Sequence, residues 1–170
     1  MKITVLNGSP HPDGDTASMV KHFKSAAKTA GHEVRVFDVC RMNIKGCLAC
    51  EYCHEKKPGV CIQKDDMEKI YAALKETEML ALASPIYYHN LSGQLKCAID
   101  RFYSVLYPKA PKTLKKTAMF LSSGDPDMYE GARFSYEGDF LGYLSLEDEG
   151  IYTNHDEDVL RKIEEMAKRL

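Results

Sequence analysis

The regular alternation of short apolar runs with helical patterns constrains the fold of this chain more than any other feature of its sequence. Each apolar run has the length of a buried strand, and each is followed by a segment whose apolar residues recur at helical spacing. The predicted strands cover residues 2–7, 34–36, 79–83, 117–121 and 150–153. The predicted helices cover residues 16–30, 65–76, about 92–106, 128–143 and 156–170. Five strand–helix units in succession predict an α/β fold with a parallel sheet.

Local signals mark several of the helix boundaries. Gly31 follows the first helix as a C-terminal stop. Asp65 opens the second helix with Glu68 three positions later, which predicts a capping box. The helix over 128–143 is predicted to be the weakest, because it contains Gly131, Gly138 and Gly142.

Length and charge narrow the class of protein. The chain has 170 residues, which suits one domain with a substantial core. A formal net charge of −2 gives no indication of a nucleic-acid surface or a polybasic membrane patch. The apolar run at residues 1–6 is too short for a signal peptide, and no run approaches the length of a membrane span. We therefore expect a soluble, cytoplasmic protein that binds neither nucleic acid nor membrane.

The loop after the first strand, residues 7–16, is the first candidate site, and we call it the phosphate loop. Ligands of parallel sheets bind beyond the carboxyl ends of the strands, and here a loop of small residues leads directly into a helix. It is not a dinucleotide fingerprint, because G-x-G-x-x-G is absent. It is not a Walker A loop either, because five residues separate Gly8 from Gly14 and Asp15 stands where the lysine should be. A single phosphomonoester is the ligand that this pattern favours.

A connecting turn is the alternative interpretation of the phosphate loop. Asp15 is a good N-cap residue, and a carboxylate beside a phosphate dianion is electrostatically unfavourable. Phosphate binding would require the side chain of Asp15 to turn away, leaving Ser9, Thr16 and the backbone to bind the ligand.

The segment after the third strand, residues 84–93, is predicted to be a loop that can hold a planar group. Tyr87 and Tyr88 offer flat surface, and Asn90 offers hydrogen bonds to a heteroaromatic edge. The alternative is that both tyrosines pack at the sheet edge while His89 is solvated.

Four of the six cysteines lie within fifteen residues, and we call residues 47–61 the cysteine segment. The spacing is C-x2-C-x2-C-x7-C, and four thiolates suit either a [4Fe–4S] cluster or Zn²⁺. Unmetallated thiols, buried or redox-active, are the remaining possibility. In a reducing compartment a disulfide framework is disfavoured. Cys40 and Cys97 fall outside the spacing, and Cys97 is expected in or near the core.

These motifs together resemble the NADPH-dependent FMN reductase and iron–sulfur flavoprotein branch of the flavodoxin superfamily. The resemblance rests on the phosphate loop, the Ser-Pro-Ile-Tyr-Tyr segment at 84–88, the residues 94–96 and 99–101 that follow it, and the cysteine segment before 64–67. It extends over residues 2–106. From 107 to 170 it is weaker and rests on the strand–helix pattern and the loop at 122–124.

The resemblance implies a flavodoxin-like three-layer sandwich whose five-stranded parallel sheet has the order 2-1-3-4-5. It also implies one FMN-binding domain over residues 1–170 with a cysteine-rich loop at 40–64. The family pattern assigns the FMN phosphate to Ser9, His11, Asp15, Thr16, Ala17 and Ser18. It assigns the flavin ring to Pro85, Ile86, Tyr87, Tyr88 and Asn90, bordered by Ser122 and Gly124. Two positions depart from the pattern, because the family often has a basic residue at His11 and an asparagine or serine at Asp15.

The resemblance also implies a function. The expected protein is an FMN-dependent oxidoreductase that takes electrons from NAD(P)H or ferredoxin and passes them to a quinone, a flavin or another small acceptor. A [4Fe–4S] cluster on Cys47, Cys50, Cys53 and Cys61 would relay single electrons to FMN. No catalytic acid or base is assigned, since the flavin carries the chemistry. A homodimer or homotetramer is expected.

Two other classes of protein remain open. A flavodoxin-type electron carrier without enzymatic activity is usually strongly acidic, so a net charge of −2 argues against it. A zinc-stabilised binding module with a vestigial flavin site is the other.

Overall fold

The computed structural model describes residues 1–170 and has a parallel sheet at its centre. Its strands are β1 (Lys2–Asn7), β2 (Glu33–Asp38), β3 (Met79–Tyr87), β4 (Asn90–Leu91), β5 (Lys116–Ser122) and β6 (Glu147–Thr153). The order β2-β1-β3-β5-β6 joins five parallel strands, while β4 pairs antiparallel with the end of β3. The predicted fold class and strand order are confirmed, and β4 is an addition to them.

Seven helices accompany the strands, the last of them after β6. They are α1 (Asp15–Thr29), α2 (Tyr52–Glu55), α3 (Met67–Leu74), α4 (Gly93–Asp100), α5 (Tyr103–Leu106), α6 (Glu130–Tyr136) and α7 (Val159–Arg169). A short 3-10 turn covers Val39–Arg41 and a π-helical turn covers Glu137–Tyr143. No helix combines the length and apolar character needed to cross a membrane.

The sheet separates two apolar clusters. On one face, α1 and α7 pack on the sheet, and the rings of Phe23 and Phe120 lie 5.3 Å apart. On the other face, residues of α3, α4 and α6 pack around Leu6, Leu82 and Met119. Because both faces are covered, the inner strands are apolar along almost their whole length, as parallel sheets require. This double burial fixes the position of the carboxyl ends of the strands, where the candidate site lies.

The predicted capping box at the start of α3 is wrong. The helix begins at Met67, and its N-cap residue Asp66 makes no side-chain cap bond. The carboxylate of Asp65 accepts a hydrogen bond from the Met67 N–H at 3.1 Å, but its main partner is Arg101. Glu68 does not reach back to the helix start and pairs instead with Lys64 at 2.8 Å. Asp65 therefore keeps one bond to the helix start, but the reciprocal bond from Glu68 is missing.

The predicted helix over 128–143 is divided. Its regular part ends at Tyr136, and the chain continues as the π-helical turn that contains Gly138 and Gly142. The helix that begins after Ser92 is also divided, into α4 and α5. Its start is as expected, because the Ser92 hydroxyl accepts a hydrogen bond from the Leu95 N–H at 3.4 Å.

The predicted loop over 84–93 is largely a hairpin. Strand β3 continues to Tyr87, and Ile86 and Tyr87 pair with Leu91 and Asn90 of β4. Tyr88 and His89 form the turn in left-handed conformation, with φ of 48° and 62°. The prediction failed here because neither residue type is a usual turn former.

Helix α6 packs closely on this turn. An added Cβ at Gly131 would lie 2.3 Å from the carbonyl oxygen of His89. Only glycine permits so close an approach of the two backbones. Helix α6, which follows β5 in the chain, thus fixes the position of the hairpin.

Candidate functional site

The phosphate loop follows β1 at the point where the strand order reverses between β1 and β3. Its first glycine is tightly packed, because an added Cβ at Gly8 would lie 2.5 Å from Ser92 Oγ and 2.8 Å from Leu95 Cβ. The Gly8 N–H donates to the carbonyl oxygen of Ala83 in β3 at 2.8 Å. The loop therefore starts from a rigid position against the neighbouring strand.

Backbone N–H groups are free at the start of α1. The N-cap residue is Gly14, which has no side chain to cap the helix. The N–H groups of Asp15, Thr16 and Ala17 have no acceptor within the protein. Thr16 and Ala17 are buried, with 1% and 5% of their surface exposed. Unpaired donors in a buried position, at the positive end of a helix dipole, form a site for an anion.

The carboxylate of Asp15 is turned away from these donors. Its Oδ2 accepts a hydrogen bond from Asn154 Nδ2 at 2.9 Å. The N-cap alternative is therefore wrong, because Asp15 is the first helical residue and its side chain bonds across the sheet edge. This orientation leaves the main-chain donors accessible to a ligand.

Asn154 joins three loops at the sheet edge. Its Nδ2 donates to Ser123 O as well as to Asp15, and its Oδ1 accepts from the Ser123 N–H at 2.9 Å and from the Tyr129 hydroxyl at 2.6 Å. Tyr129 is buried, and this burial raises the pKa of its hydroxyl. A second bridge runs from Thr16 Oγ1 to Ser122 Oγ at 2.6 Å.

The remaining predicted phosphate residues lie around the same loop. Ser9 is buried, its N–H donates to Asn7 Oδ1 at 3.1 Å, and its carbonyl oxygen accepts from Cys40 Sγ at 2.8 Å. His11 is exposed, and Ser18 is half-buried with its N–H donated to Gly14 O. The structure thus brings Ser9, Thr16 and Ala17 together as buried positions and leaves Asp15 and His11 at the rim.

The predicted flavin-ring residues come from two adjacent strands. Pro85 of β3 is paired in register with Ser122 of β5. Pro85 is buried and Ile86 half-buried, whereas Tyr88 is fully exposed. Three further positions, Tyr87, Asn90 and Gly124, are also exposed. Together these residues form an open surface beside the phosphate loop rather than a closed pocket.

A polar cavity of about 290 Å³ lies on the other side of the phosphate loop. Ser9 and Ala17 form one wall, and the charged groups around it are Lys21, Lys24, Asp38 and Arg41. Asp38 is already engaged, because it accepts a hydrogen bond from Asn7 Nδ2 at 2.8 Å. None of the predicted ring residues lines this cavity.

All four cysteines of the cysteine segment line one small cavity. Cys47 and Cys50 are exposed, Cys61 is half-buried, and Cys53 in α2 is buried. Burial raises the pKa of the Cys53 thiol. No group of three or more His, Cys, Asp or Glu side chains is gathered closely enough to hold a single metal ion. The four cysteines nevertheless line the same cavity, and four cysteine thiolates are the ligand set of an iron–sulfur cluster.

Side chains from outside the cysteine segment hold it in place. Within it, Ala49 and Glu51 have left-handed backbone, with φ of 49° and 54°. The Tyr103 hydroxyl donates to Glu51 Oε2 at 3.0 Å, and this bond raises the pKa of Tyr103 to about 12. His54 Nε2 lies 2.9 Å from the carbonyl oxygen of Tyr103. Cys97 lies apart from the cavity and is half-buried, near the backbone of Gly46.

An ion pair closes the base of the cysteine segment. Arg101 binds Asp65 with two hydrogen bonds, and their side chains are 1% and 2% exposed. Burial alone would lower the pKa of Arg101, but the bond to Asp65 and the contacts with Tyr71 raise it above its ordinary value. For Asp65, burial is outweighed by hydrogen bonds from Arg101 and the backbone, which lower its pKa.

Two of these residues were missed in the sequence. Asn154 follows the last strand, where carboxyl ends of parallel strands converge, so its place after β6 was the available signal. Arg101 lies in the helical stretch that carries the resemblance, but its partner is 36 positions away and no local pattern indicates the pair.

A doubly wound parallel sheet with an uncapped helix start at its switch point defines a flavodoxin-like α/β protein with a candidate site for an anion. Comparison with known families agrees with a flavodoxin-like fold and identifies a particular family within it. The chain belongs to the NADPH-dependent FMN reductase family, whose model matches residues 1–136.

Curated relatives carry the name iron–sulfur flavoprotein. One from Methanocaldococcus jannaschii is 42% identical over 115 residues, which are 68% of this chain and 57% of that protein. A second from the same organism is 33% identical over 101 residues, covering 59% of this chain and 51% of that protein. The chain spans about half the length of the curated relatives it matches.

Solved structures share the fold. An NAD(P)H:quinone oxidoreductase from Methanothermobacter marburgensis has a TM-score of 0.71 at 20% identity, covering 99% of this chain and 93% of that chain. An FMN-dependent NADH-azoreductase from Bacillus anthracis in complex with FMN has a TM-score of 0.74 at 15% identity, covering 99% of both chains. At these identities the likeness shows the architecture alone.

Proposed function

We propose that this protein is an FMN-dependent oxidoreductase that passes electrons from NAD(P)H or ferredoxin to a small acceptor such as a quinone or a flavin. We further propose that a [4Fe–4S] cluster held by Cys47, Cys50, Cys53 and Cys61 takes part in this transfer. Membership of the reductase family and the names of the curated relatives support the proposal.

The observation that carries the proposal is the set of unpaired N–H groups at Asp15, Thr16 and Ala17. A dianionic phosphate at this position would be held by main-chain donors and the hydroxyls of Ser9 and Thr16. The bond from Asn154 keeps the Asp15 carboxylate from competing for the same donors. These residues suit the phosphate of FMN.

The other predicted residues would orient the ring. When bound, FMN supplies one-electron and two-electron chemistry. The side chain of Ile86 would give an apolar contact, and Tyr88 would limit the space above the ring where a nicotinamide or an acceptor stacks. Replacing Tyr88 with alanine should therefore raise the KM for the reductant or the acceptor. Unchanged kinetics would exclude this role for Tyr88.

The test is the visible spectrum of anaerobically purified protein, with iron and acid-labile sulfide assayed on the same sample. A flavin spectrum with about four iron and four sulfide per chain is expected for one [4Fe–4S] cluster. A flavin spectrum without iron would support the proposed reductase and contradict the proposed cluster. Absence of flavin after addition of FMN would contradict the whole proposal.

Steady oxidation of NAD(P)H distinguishes an enzyme from a flavodoxin-type electron carrier. Turnover with a quinone or free flavin is expected here, whereas a carrier would be reduced once and stop. Light scattering on the same sample tests the expected homodimer or homotetramer.

A further inference from the structure

Arg101 is a buried cation that uses nearly all of its hydrogen-bonding capacity. Its Nη1 donates to Asp65 Oδ2 at 2.8 Å and to Lys45 O at 2.9 Å, and its Nη2 donates to Asp65 Oδ1 at 3.2 Å. Its Nε donates to the Tyr71 hydroxyl at 3.2 Å. Such a side chain is costly to bury, and it is retained only where its partners are fixed.

Two partners of Arg101 flank the cysteine segment on either side. Lys45 lies just before it and Asp65 just after it, and the Lys45 N–H also donates to Asp65 Oδ2 at 3.1 Å. Arg101, Asp65 and the Lys45 backbone therefore form a closed clasp, with all four cysteines in the chain between its ends.

One donor of the clasp is left over. A guanidinium has five N–H groups, and the bonds to Asp65, Lys45 and Tyr71 use four of them. The fifth, on Nη2, has no acceptor in the protein. Arg101 itself lines the cavity that all four cysteines line, so thiolates bound to a metal centre there would offer this N–H an acceptor.

We propose that Arg101 has two roles, the first toward the cysteine segment and the second, which rests on the proposed function, toward the iron–sulfur cluster. The clasp holds the cysteine segment ready for cluster loading, and the free Nη2–H, together with the charge of the guanidinium, stabilises the sulfur ligands. Hydrogen bonds to cluster sulfurs and nearby positive charge both favour the reduced state. Arg101 is thus a positioning residue that also raises the reduction potential of the cluster.

The test compares Arg101→Lys and Asp65→Asn with the unaltered chain and with Arg161→Lys. Arg161 is exposed and pairs only with Asp158 and Glu165, so it is a matched control. Arg101→Lys keeps the charge but cannot span both ends of the segment. We expect its iron content after anaerobic reconstitution to fall several-fold with FMN content unchanged, and the remaining cluster to be reduced at a lower potential in a redox titration. Asp65→Asn should show the same loss of iron.

A structural role alone would lower the melting temperature without moving the potential. An Arg101→Lys protein with unchanged iron content and potential would overturn the proposal. Should that variant not fold, Asp65→Asn with full iron content would overturn the clasp equally well.

The clasp can also be tested without a cluster. Lys56 lies inside the cysteine segment and is exposed, and the bond from Lys56 to Lys57 is a trypsin site, so its cleavage reports on the order of the segment in the metal-free protein. Faster cleavage there in Arg101→Lys than in Arg161→Lys supports the clasp, and equal rates contradict it. If the unaltered chain takes up no iron, the cluster and the tuning role both fail, while the cleavage rates still decide the clasp.

Discussion

The phosphate loop and the cysteine segment lie in the same half of the chain but are built on opposite principles. In the phosphate loop the donors are main-chain N–H groups, and packing of Gly8 against α4 fixes their position. In the cysteine segment the candidate metal ligands are thiol side chains on an irregular backbone. Arg101, Asp65 and Tyr103 hold this backbone from outside the segment. The first site should be sensitive to backbone packing and the second to individual side chains.

The largest expected effect tests this difference directly. Replacing Cys53 with serine should reduce iron and sulfide to background, because a cluster loses one of its four ligands. FMN content should stay within about 20% of the unaltered chain, since the phosphate loop shares no residue with the cysteine segment. Cys97→Ser, outside the cavity, is the control and should retain its iron. Loss of flavin together with iron would show that the two sites depend on each other.

A matched pair of glycine substitutions tests whether the phosphate loop depends on backbone packing. Gly8→Ala places a Cβ 2.5 Å from Ser92 Oγ and 2.8 Å from Leu95 Cβ, so it should cost about 1–3 kcal/mol of stability and weaken FMN binding. Gly46→Ala meets only Cys97 Sγ at 3.9 Å, an ordinary contact, and should stay within about 0.5 kcal/mol. Thermal melts and FMN titrations of both variants are the measurement. Equal destabilisation would contradict the distinction.

The stability that Asp65 contributes through the clasp should decrease at acid pH. The pKa of Asp65 is lowered from its ordinary value of 3.8, because the hydrogen bonds from Arg101 and the backbone outweigh the effect of burial. The folded state therefore holds fewer protons than the unfolded state near that pH. The contribution of Asp65 is complete above pH 3.8 and is lost as the pH falls through the lower folded-state pKa.

The corresponding measurement is the difference in melting temperature between the unaltered chain and Asp65→Asn. This difference should be largest at neutral pH and should shrink steadily below about pH 4. Asp13→Asn, at an exposed position in the phosphate loop, is the control. A difference that does not change with pH would mean that the ionised form of Asp65 contributes nothing to stability.

The smallest expected effect concerns Asp15. Asp15→Asn removes a negative charge beside the proposed phosphate while its amide oxygen can still accept from Asn154. FMN should bind roughly two- to five-fold more tightly, because the substitution removes a solvent-screened repulsion between two negative charges. The gain should diminish at high salt. Weaker binding would show that Asp15 serves the site rather than opposing it.

Much of the fold follows from sequence periodicity because both faces of the sheet are covered, so the inner strands stand out as apolar runs. The parallel sheet was predicted correctly for this reason, whereas its strand order came from the family resemblance. The errors fall where a distant contact overrides a local signal. Asp65 has the sequence of a cap but binds Arg101, and Tyr88 and His89 form a turn that Gly131 of α6 braces.

The two candidate sites show the same limit, because local features could be predicted and distant contacts could not. The strand–loop–helix pattern around α1 is local, so it predicts a candidate phosphate site there, although the sequence left open whether Asp15 caps the helix. Asn154 enters the site from the opposite end of the chain, and the arrangement of the cysteines depends on Arg101. Spacing identifies the thiols as possible ligands, whereas their geometry depends on contacts that spacing does not encode.

The bond between Asp15 and Asn154 also has a consequence during synthesis. The ribosome delivers the phosphate loop early, but its partner emerges 139 residues later. Until then the carboxylate of Asp15 has no amide to hold it aside, and β6 and α7 are absent from the sheet and from α1. A nascent chain would therefore carry an incomplete form of the proposed phosphate site, and we expect FMN to bind only after the last strand has left the exit tunnel.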